Sequence, residues 1–330
     1  MKSVTNLGLM CTASDLPSAI PLLTEAGFQV RAVFSPGEPS LNDLPINPEA
    51  NATHFCTSYP MLLEYSGLVA LAIFSPPQNF DELICAALEA GKHVICEFPK
   101  TPTVEACERV LHAHRKSGRT VVFLPCRSGV HECTALAHHY LTSGKLGRLY
   151  HAESIHTTTA TWPVNQHTRP EEIGTSLIHQ TIDLLQYPKI HSLSAYVHSD
   201  TENSYGHTSL FARVAGDISV SIEYAANPSL KPHHSFTILG DRGGLLVDYT
   251  EGGRGFSFVE VAPGPAAKLL ETKPLFKPEF RPSSYRAFHA HVSLGDPHAG
   301  ITPEQLLEVA LWRQAVRTAV LEGRELTWAG

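Results

Sequence analysis

No lysine- or arginine-rich run occurs anywhere in the 330 residues, and charged side chains make up only 17% of them. With a formal net charge of −7, the chain lacks the basic surface that nucleic acid or an acidic membrane requires. Long apolar runs are missing too. The longest, such as residues 68–74, fall far short of the roughly 20 residues that span a bilayer. The N-terminus has no charged segment followed by an apolar stretch and a small-residue cleavage site, so no signal peptide is expected. Cysteine is sparse and confined to positions 11, 56, 85, 96, 107, 126 and 133, with no CxxC pair. An odd count with that spacing argues against a disulfide framework or a zinc site. Reduced, mostly buried thiols in a cytoplasmic protein are the expectation. Internal repeats and low-complexity segments are also absent.

What is present is a large apolar fraction, 43%, enough to bury the cores of two domains. Residues 4–10 read as a strand. Leu16, Ile20 and Leu23 then recur at helical spacing up to Gly27. Residues 28–34 form a second strand. Residues 68–74 are continuously apolar, as a central parallel strand covered on both faces requires. Phe80, Leu83, Ile84, Ala87 and Leu88 mark a helix stopped by Gly91. Residues 93–96 form a strand, and Thr101 with Pro102 offers the start of a further helix that Gly118 ends. Residues 120–124 close the series. A β-α-β-α chain with short connections makes a parallel sheet whose ligands bind beyond the carboxyl ends of the strands. The loops at 11–15, 35–37, 75–79 and 97–100 should therefore line one crevice.

The second half has another character. A helix over about 132–143 leads through Gly144-Lys145-Leu146-Gly147 into a strand at 149–156. After a polar loop and a helix within 173–187 come β-like runs at 192–198, 208–214, 218–224, 235–239 and 245–249, several with alternating polarity. Thr302-Pro303-Glu304-Gln305 has the form of a capping box opening a last helix, 303–322. The fold class expected is α/β: an N-terminal Rossmann-type parallel sheet at 1–125, then an α+β domain at 126–330 with a large, mostly antiparallel open sheet.

Gly91-Lys92-His93-Val94-Ile95-Cys96-Glu97-Phe98-Pro99 resembles the "aGkHVlcEKP" signature of the Gfo/Idh/MocA oxidoreductase family. Ser75-Pro76, the turn at 144–149, Thr181-Ile182-Asp183-Leu184-Leu185 and Glu322-Gly323-Arg324 with Trp328 resemble further family stretches in the same order. The resemblance implies a nicotinamide-dependent dehydrogenase or reductase of sugars, polyols or related carbonyl compounds. It also implies a small-molecule substrate and a homo-oligomer assembled through the C-terminal sheet. Cofactor contacts are implied for Cys11, Thr12, Ala13, Ser35, Ser75, Pro76 and Glu97.

This sequence is a divergent member of that pattern. Cys11 and Ala13 stand where a glycine-rich loop would approach a pyrophosphate, and positive φ is costly for both. The end of the second strand offers no carboxylate to hold a ribose 2′-hydroxyl. Phe34-Ser35-Pro36 tolerates a 2′-phosphate, which slightly favours NADP over NAD. Phe98 replaces the family lysine that polarises the substrate oxygen. Lys100, two residues on, shares a face with that position about 6.5 Å further along. It is either a displaced catalytic group or an ordinary solvated lysine.

The family pairs an Asp with a His four residues later, as orienter and acid/base. A gap-free alignment on Asp183 puts Ser176 and Gln180 at those places. His179 lies four residues before Asp183, within orienting reach on a helix. It is the candidate acid/base; the alternative is a packed helix histidine. Arg127, Trp162 and Gln180 are candidate substrate contacts. The chain has 19 histidines, but none are spaced as metal ligands. Three functions remain in play: an NAD(P)-dependent oxidoreductase, a catalytically inactive dinucleotide- or ligand-binding regulator, and a non-redox enzyme reusing the cleft.

Overall fold

The computed structural model describes residues 5–37, 53–124, 131–159, 175–200, 205–227, 231–248, 255–261, 267–273, 280–296 and 300–328. The chain divides into two compact units. One comprises Met1–Arg127 and Glu279–Leu307, the other Ser128–Pro278 and Glu308–Gly330.

The first unit runs β1 (Thr5–Met10), α1 (Leu16–Glu25), β2 (Phe28–Phe34), β3 (His54–Cys56), α2 (Tyr59–Glu64), β4 (Ala70–Ile73), α3 (Phe80–Glu89), β5 (His93–Glu97), α4 (Val104–Ser117) and β6 (Val121–Leu124). Its six strands lie in the order β3-β2-β1-β4-β5-β6, with every pair parallel. All four residues of β4 are buried, which explains the unbroken apolar run that marked it. The order reverses between β1 and β4. The loops after those two strands therefore flank the switch point where open α/β sheets bind ligands.

The start of one helix differs from the sequence reading. Helix α4 starts at Val104, not at Pro102. Thr103 is extended, and its hydroxyl accepts from the Ala106 N–H at 3.2 Å. The side-chain cap of α4 is thus the second threonine.

The second unit begins with α5 (His131–Thr142) and β7 (Leu149–Thr158), then α6 (Thr175–Leu184). Next come β8 (Ile190–Asp200), β9 (Tyr205–Val214), β10 (Ile218–Ala226), β11 (His233–Gly240), β12 (Gly243–Asp248), β13 (Gly255–Val261) and β14 (Ala267–Lys273). The turn before β7 needs glycine at 147. Its φ is +74°, and a Cβ there would lie 1.9 Å from Asp241 Oδ1.

The chain then forms α7 (Phe280–Leu294), α8 (Pro303–Glu322) and β15 (Leu326–Thr327). Nine strands make one sheet, β14-β13-β12-β11-β7-β10-β9-β8-β15. Among its pairs β7 and β10 are parallel, and the rest are antiparallel. The α/β class with a parallel sheet and a second, mostly antiparallel sheet is thus observed.

Helix α7 belongs to the first unit. Phe288 and Tyr285 are 0% and 2% exposed within its core. Phe288 lies 6.0 Å from Phe28, and Tyr285 stacks on Phe74 at 5.7 Å. Ile301 then exchanges backbone hydrogen bonds with Phe123 on β6, at 2.8 and 2.9 Å. The capping box forms as anticipated. Thr302 N–H donates to Gln305 Oε1, and Gln305 N–H donates to Thr302 Oγ1. Among the described residues no helix is long and apolar enough to cross a membrane.

Candidate functional site

In the first unit the loops after β1, β2, β4 and β5 share the carboxyl edge of the sheet. Cys11 is buried directly after β1, and its N–H donates to the Phe34 carbonyl at 3.2 Å. Burial and the neighbouring Asp15 push its thiol up to about 12, so it is an inert small side chain rather than a nucleophile. Thr12 Oγ1 donates to Asp15 Oδ2 at 2.8 Å, and Ser75 Oγ reaches the same oxygen at 2.8 Å. The Ser75 N–H donates to Glu97 Oε2 at 2.9 Å. Ser75 takes φ +48°, a left-handed conformation uncommon outside glycine. Thr12, Asp15, Ser75 and Glu97 are thus linked across the ends of β1, β4 and β5. Ala13 and Pro76 are partly buried beside them.

Do these residues suit a dinucleotide? At the end of β2 they do. Ser35 is 3% exposed, and its hydroxyl has no hydrogen-bond partner among the described residues. A buried hydroxyl left unpaired is costly, and a ribose hydroxyl or phosphate at this strand end would satisfy it. The phosphate end suits it less well, because Asp15 carries a carboxylate there. Phe98 is partly buried and Lys100 exposed just beyond β5.

The second unit holds a different constellation. His179 Nε2 lies 3.2 Å from Tyr187 Oη. That hydroxyl donates to Asp183 Oδ1 at 3.1 Å, and His138 Nε2 meets Asp183 Oδ2 at 3.2 Å. Because Tyr187 gives its proton to the carboxylate, the assignment that fits this chain of bonds puts the His179 proton on Nε2. Burial pushes the His179 imidazole down to about 4, against a smaller upward pull from Asp183. Burial raises the Asp183 carboxyl. Hydrogen bonds from His138 and Tyr187 and the adjacent imidazoles outweigh that and hold it below the usual carboxylate value. Burial and Asp183 push the Tyr187 phenol up. At neutral pH the group is therefore a neutral imidazole oriented by a neutral tyrosine and an ionised carboxylate.

Gln180, the next residue, turns to the sheet. Its Oε1 lies 3.1 Å from His234 Nε2, and its Nε2 is buried without a partner among the described residues. His234 meets His156 edge-on at 4.9 Å, and His156 stacks on Tyr224 at 5.4 Å and 5°. Among the described residues no group of three His, Cys, Asp or Glu side chains is arranged to hold a metal. Arg127 and Trp162 lie outside the described residues. Tyr187 and His138 were not singled out from sequence. Tyr187 carried a signal, being four residues past Asp183. His138 carried none, because α5 and α6 meet only in the fold.

These histidines make stability pH-dependent. Burial holds His179, His234 and His93 each to about 4; His156 and His233 add to the effect at His234, and Arg119 and His291 at His93. The unfolded chain takes up those protons near 6.5. The contribution is thus complete above pH 6.5 and is lost as pH falls from there towards 4. For His179 the loss approaches about 3 kcal/mol by pH 4. Urea midpoints measured from pH 7.5 to 4.5 should fall steadily below 6.5; a flat profile would remove the buried neutral imidazoles.

One unit holds a parallel sheet with a switch point between β1 and β4, and the other a large, mostly antiparallel sheet. Residues 16–124 match the family described as "Oxidoreductase family, NAD-binding Rossmann fold". Over this stretch, less than half of the chain, the sequence is similar to the Gfo/Idh/MocA oxidoreductase family. The match begins just after the 11–15 loop. Inositol 2-dehydrogenase 2 of Saccharopolyspora erythraea is 30% identical over 95 residues, 29% of this chain and 28% of that protein. Inositol 2-dehydrogenase of Salmonella paratyphi B is 28% identical over 129 residues, 39% of this chain and 38% of that protein. The chain thus aligns with well under half the length of these curated relatives.

Solved structures share the fold over nearly the whole chain. Levoglucosan dehydrogenase in complex with NADH and L-sorbose gives a TM-score of 0.75 at 15% identity, covering 98% of this chain and 99% of that one. Biliverdin reductase with biliverdin and NADP+ from Synechocystis gives 0.72 at 16%, covering 96% and 99%.

Proposed function

We propose that the chain is a cytoplasmic NAD(P)-dependent oxidoreductase that oxidises an alcohol on a small, polar, sugar- or polyol-like substrate. The observation that carries this reading is the buried neutral His179 held by Tyr187 and Asp183. Nicotinamide chemistry supplies only the hydride acceptor; the protein must orient the substrate and take one proton. His179 takes the proton from the substrate hydroxyl. Tyr187 and Asp183 fix its ring and tautomer, and the Asp183 charge stabilises the imidazolium that forms. Ser35 and Thr12 are the residues expected to hold the cofactor. Ser35 in place of a carboxylate at the end of β2 favours NADP slightly over NAD. Lys100 is too exposed to be the preferred acid/base, and Gln180 with Trp162 and Arg127 is assigned to substrate.

A non-catalytic dinucleotide sensor is the second reading, favoured by Phe98 at the family lysine position. The two separate in one experiment. The protein is incubated with NAD+ or NADP+ and a panel of polyols and sugars, and reduced nicotinamide is followed by absorbance. Turnover supports the oxidoreductase; saturable binding with no turnover across the panel supports the sensor. Tyr196 and Phe211, 63% and 55% exposed on the open sheet face, are the expected core of a homo-oligomer contact.

A further inference from the structure

A carboxylate of the chain itself stands at the phosphate end of the first unit's crevice. Helix α1 begins at Leu16, and Asp15 immediately precedes it. Asp15 does not cap the helix with its side chain. Its Oδ2 instead accepts from Thr12 Oγ1 and, across the switch point between β1 and β4, from Ser75 Oγ, both at 2.8 Å. The backbone donors of the same turn are engaged. Asp15 N–H donates to the Thr12 carbonyl at 3.1 Å, Leu16 N–H to Ala13 at 3.4 Å, and Ser18 N–H to Asp15 at 3.1 Å. Pro17 has no N–H. Glu97 adds a second carboxylate on this edge, bonded to the Ser75 N–H.

A helix N-terminus attracts an anion because its first N–H groups are unpaired and its dipole is positive there. In α1 the donors at 15, 16 and 18 are spent, the residue at 17 has none, and an anion is already present. The neighbouring Cys11 and Ala13 deny the close backbone approach that glycine would allow.

We propose that Asp15 is a specificity-determining residue that holds the phosphate subsite against a pyrophosphate, so that a dinucleotide binds only after the Asp15–Ser75 link opens. This rests on the reading above that the crevice takes NAD(P). Two consequences follow. Binding of a phosphorylated ligand is weakened by like-charge repulsion, which salt screens at this exposed edge. A ligand carrying no phosphate does not meet that repulsion.

The test compares the intact wild-type chain with Asp15→Asn and Ser75→Ala. NADH and NADPH are titrated by nicotinamide fluorescence at low and at high ionic strength, with adenosine as the uncharged control by calorimetry. Asp15→Asn keeps the side chain's size and removes its charge. It should tighten both dinucleotides about tenfold or more at low salt, with a smaller gain at high salt. Adenosine affinity should stay unchanged. Ser75→Ala, which breaks the link but keeps the charge, should give a lesser gain.

Equal or weaker dinucleotide binding by a folded Asp15→Asn overturns the proposal; if that variant does not fold, no gain in Ser75→Ala does so. Where wild type and variants bind equally, the proposal fails and the cofactor reading stands. Where none binds at millimolar concentration, both fail.

Discussion

With His179 replaced by alanine, kcat for alcohol oxidation is expected to fall about 100- to 10,000-fold, the range a positioned general base contributes. Dinucleotide affinity, measured alongside, should not change. The imidazole is neutral at pH 7, because burial holds it near 4, and the hydrogen-bonded Tyr187 orients it. The neighbouring ionised carboxylate stabilises the proton once taken. Tyr187→Phe should cost less, about tenfold. It leaves the imidazole in place but severs its link to Asp183, and the pH dependence of kcat should shift with it. Unchanged kcat in His179→Ala would return His179 to the role of a packed helix side chain.

Phe288→Ala is the second large expected effect, on stability rather than turnover. Phe288 is 0% exposed in the core shared by β1, β2 and α1, against Phe28. Removing a buried phenylalanine ring costs about 3–5 kcal/mol, by lost transfer energy and the cavity left behind. That loss would fall on the Rossmann-type unit, although residue 288 lies more than 150 positions beyond β6. Chemical denaturation gives the value directly. A loss under about 1 kcal/mol would mean that α7 rests loosely on that sheet.

The return of α7 also shows what the sequence made legible and what it hid. Strands β1, β2, β4, β5 and β6 were readable because each is an apolar run bounded by glycine or a helix, and local pattern suffices for a parallel sheet. Strands β7 to β12 were readable from alternation. Helix α7 has mixed polarity, with Phe288 and Tyr285 among histidines and serines. Its packing partners are Phe28 and Phe74, which no local window connects to it. Strand β3 is three residues long, too short for any periodicity.

The site divides along the same line. Asp183 and His179 were visible as a helical i, i+4 pair. The crevice loops followed from the strand order. The role of Asp15 did not follow, because its partner Ser75 lies 60 residues away on another loop. His138 was likewise one of 19 similar residues until α5 was set beside α6.

If the first unit is a working, guarded dinucleotide site, fluorescence titration of the wild-type chain with NADPH and NADH should saturate for at least one of them. That binding should be weak at low salt and markedly tighter in Asp15→Asn. No saturation up to millimolar concentration in either protein would mean that the crevice holds no dinucleotide.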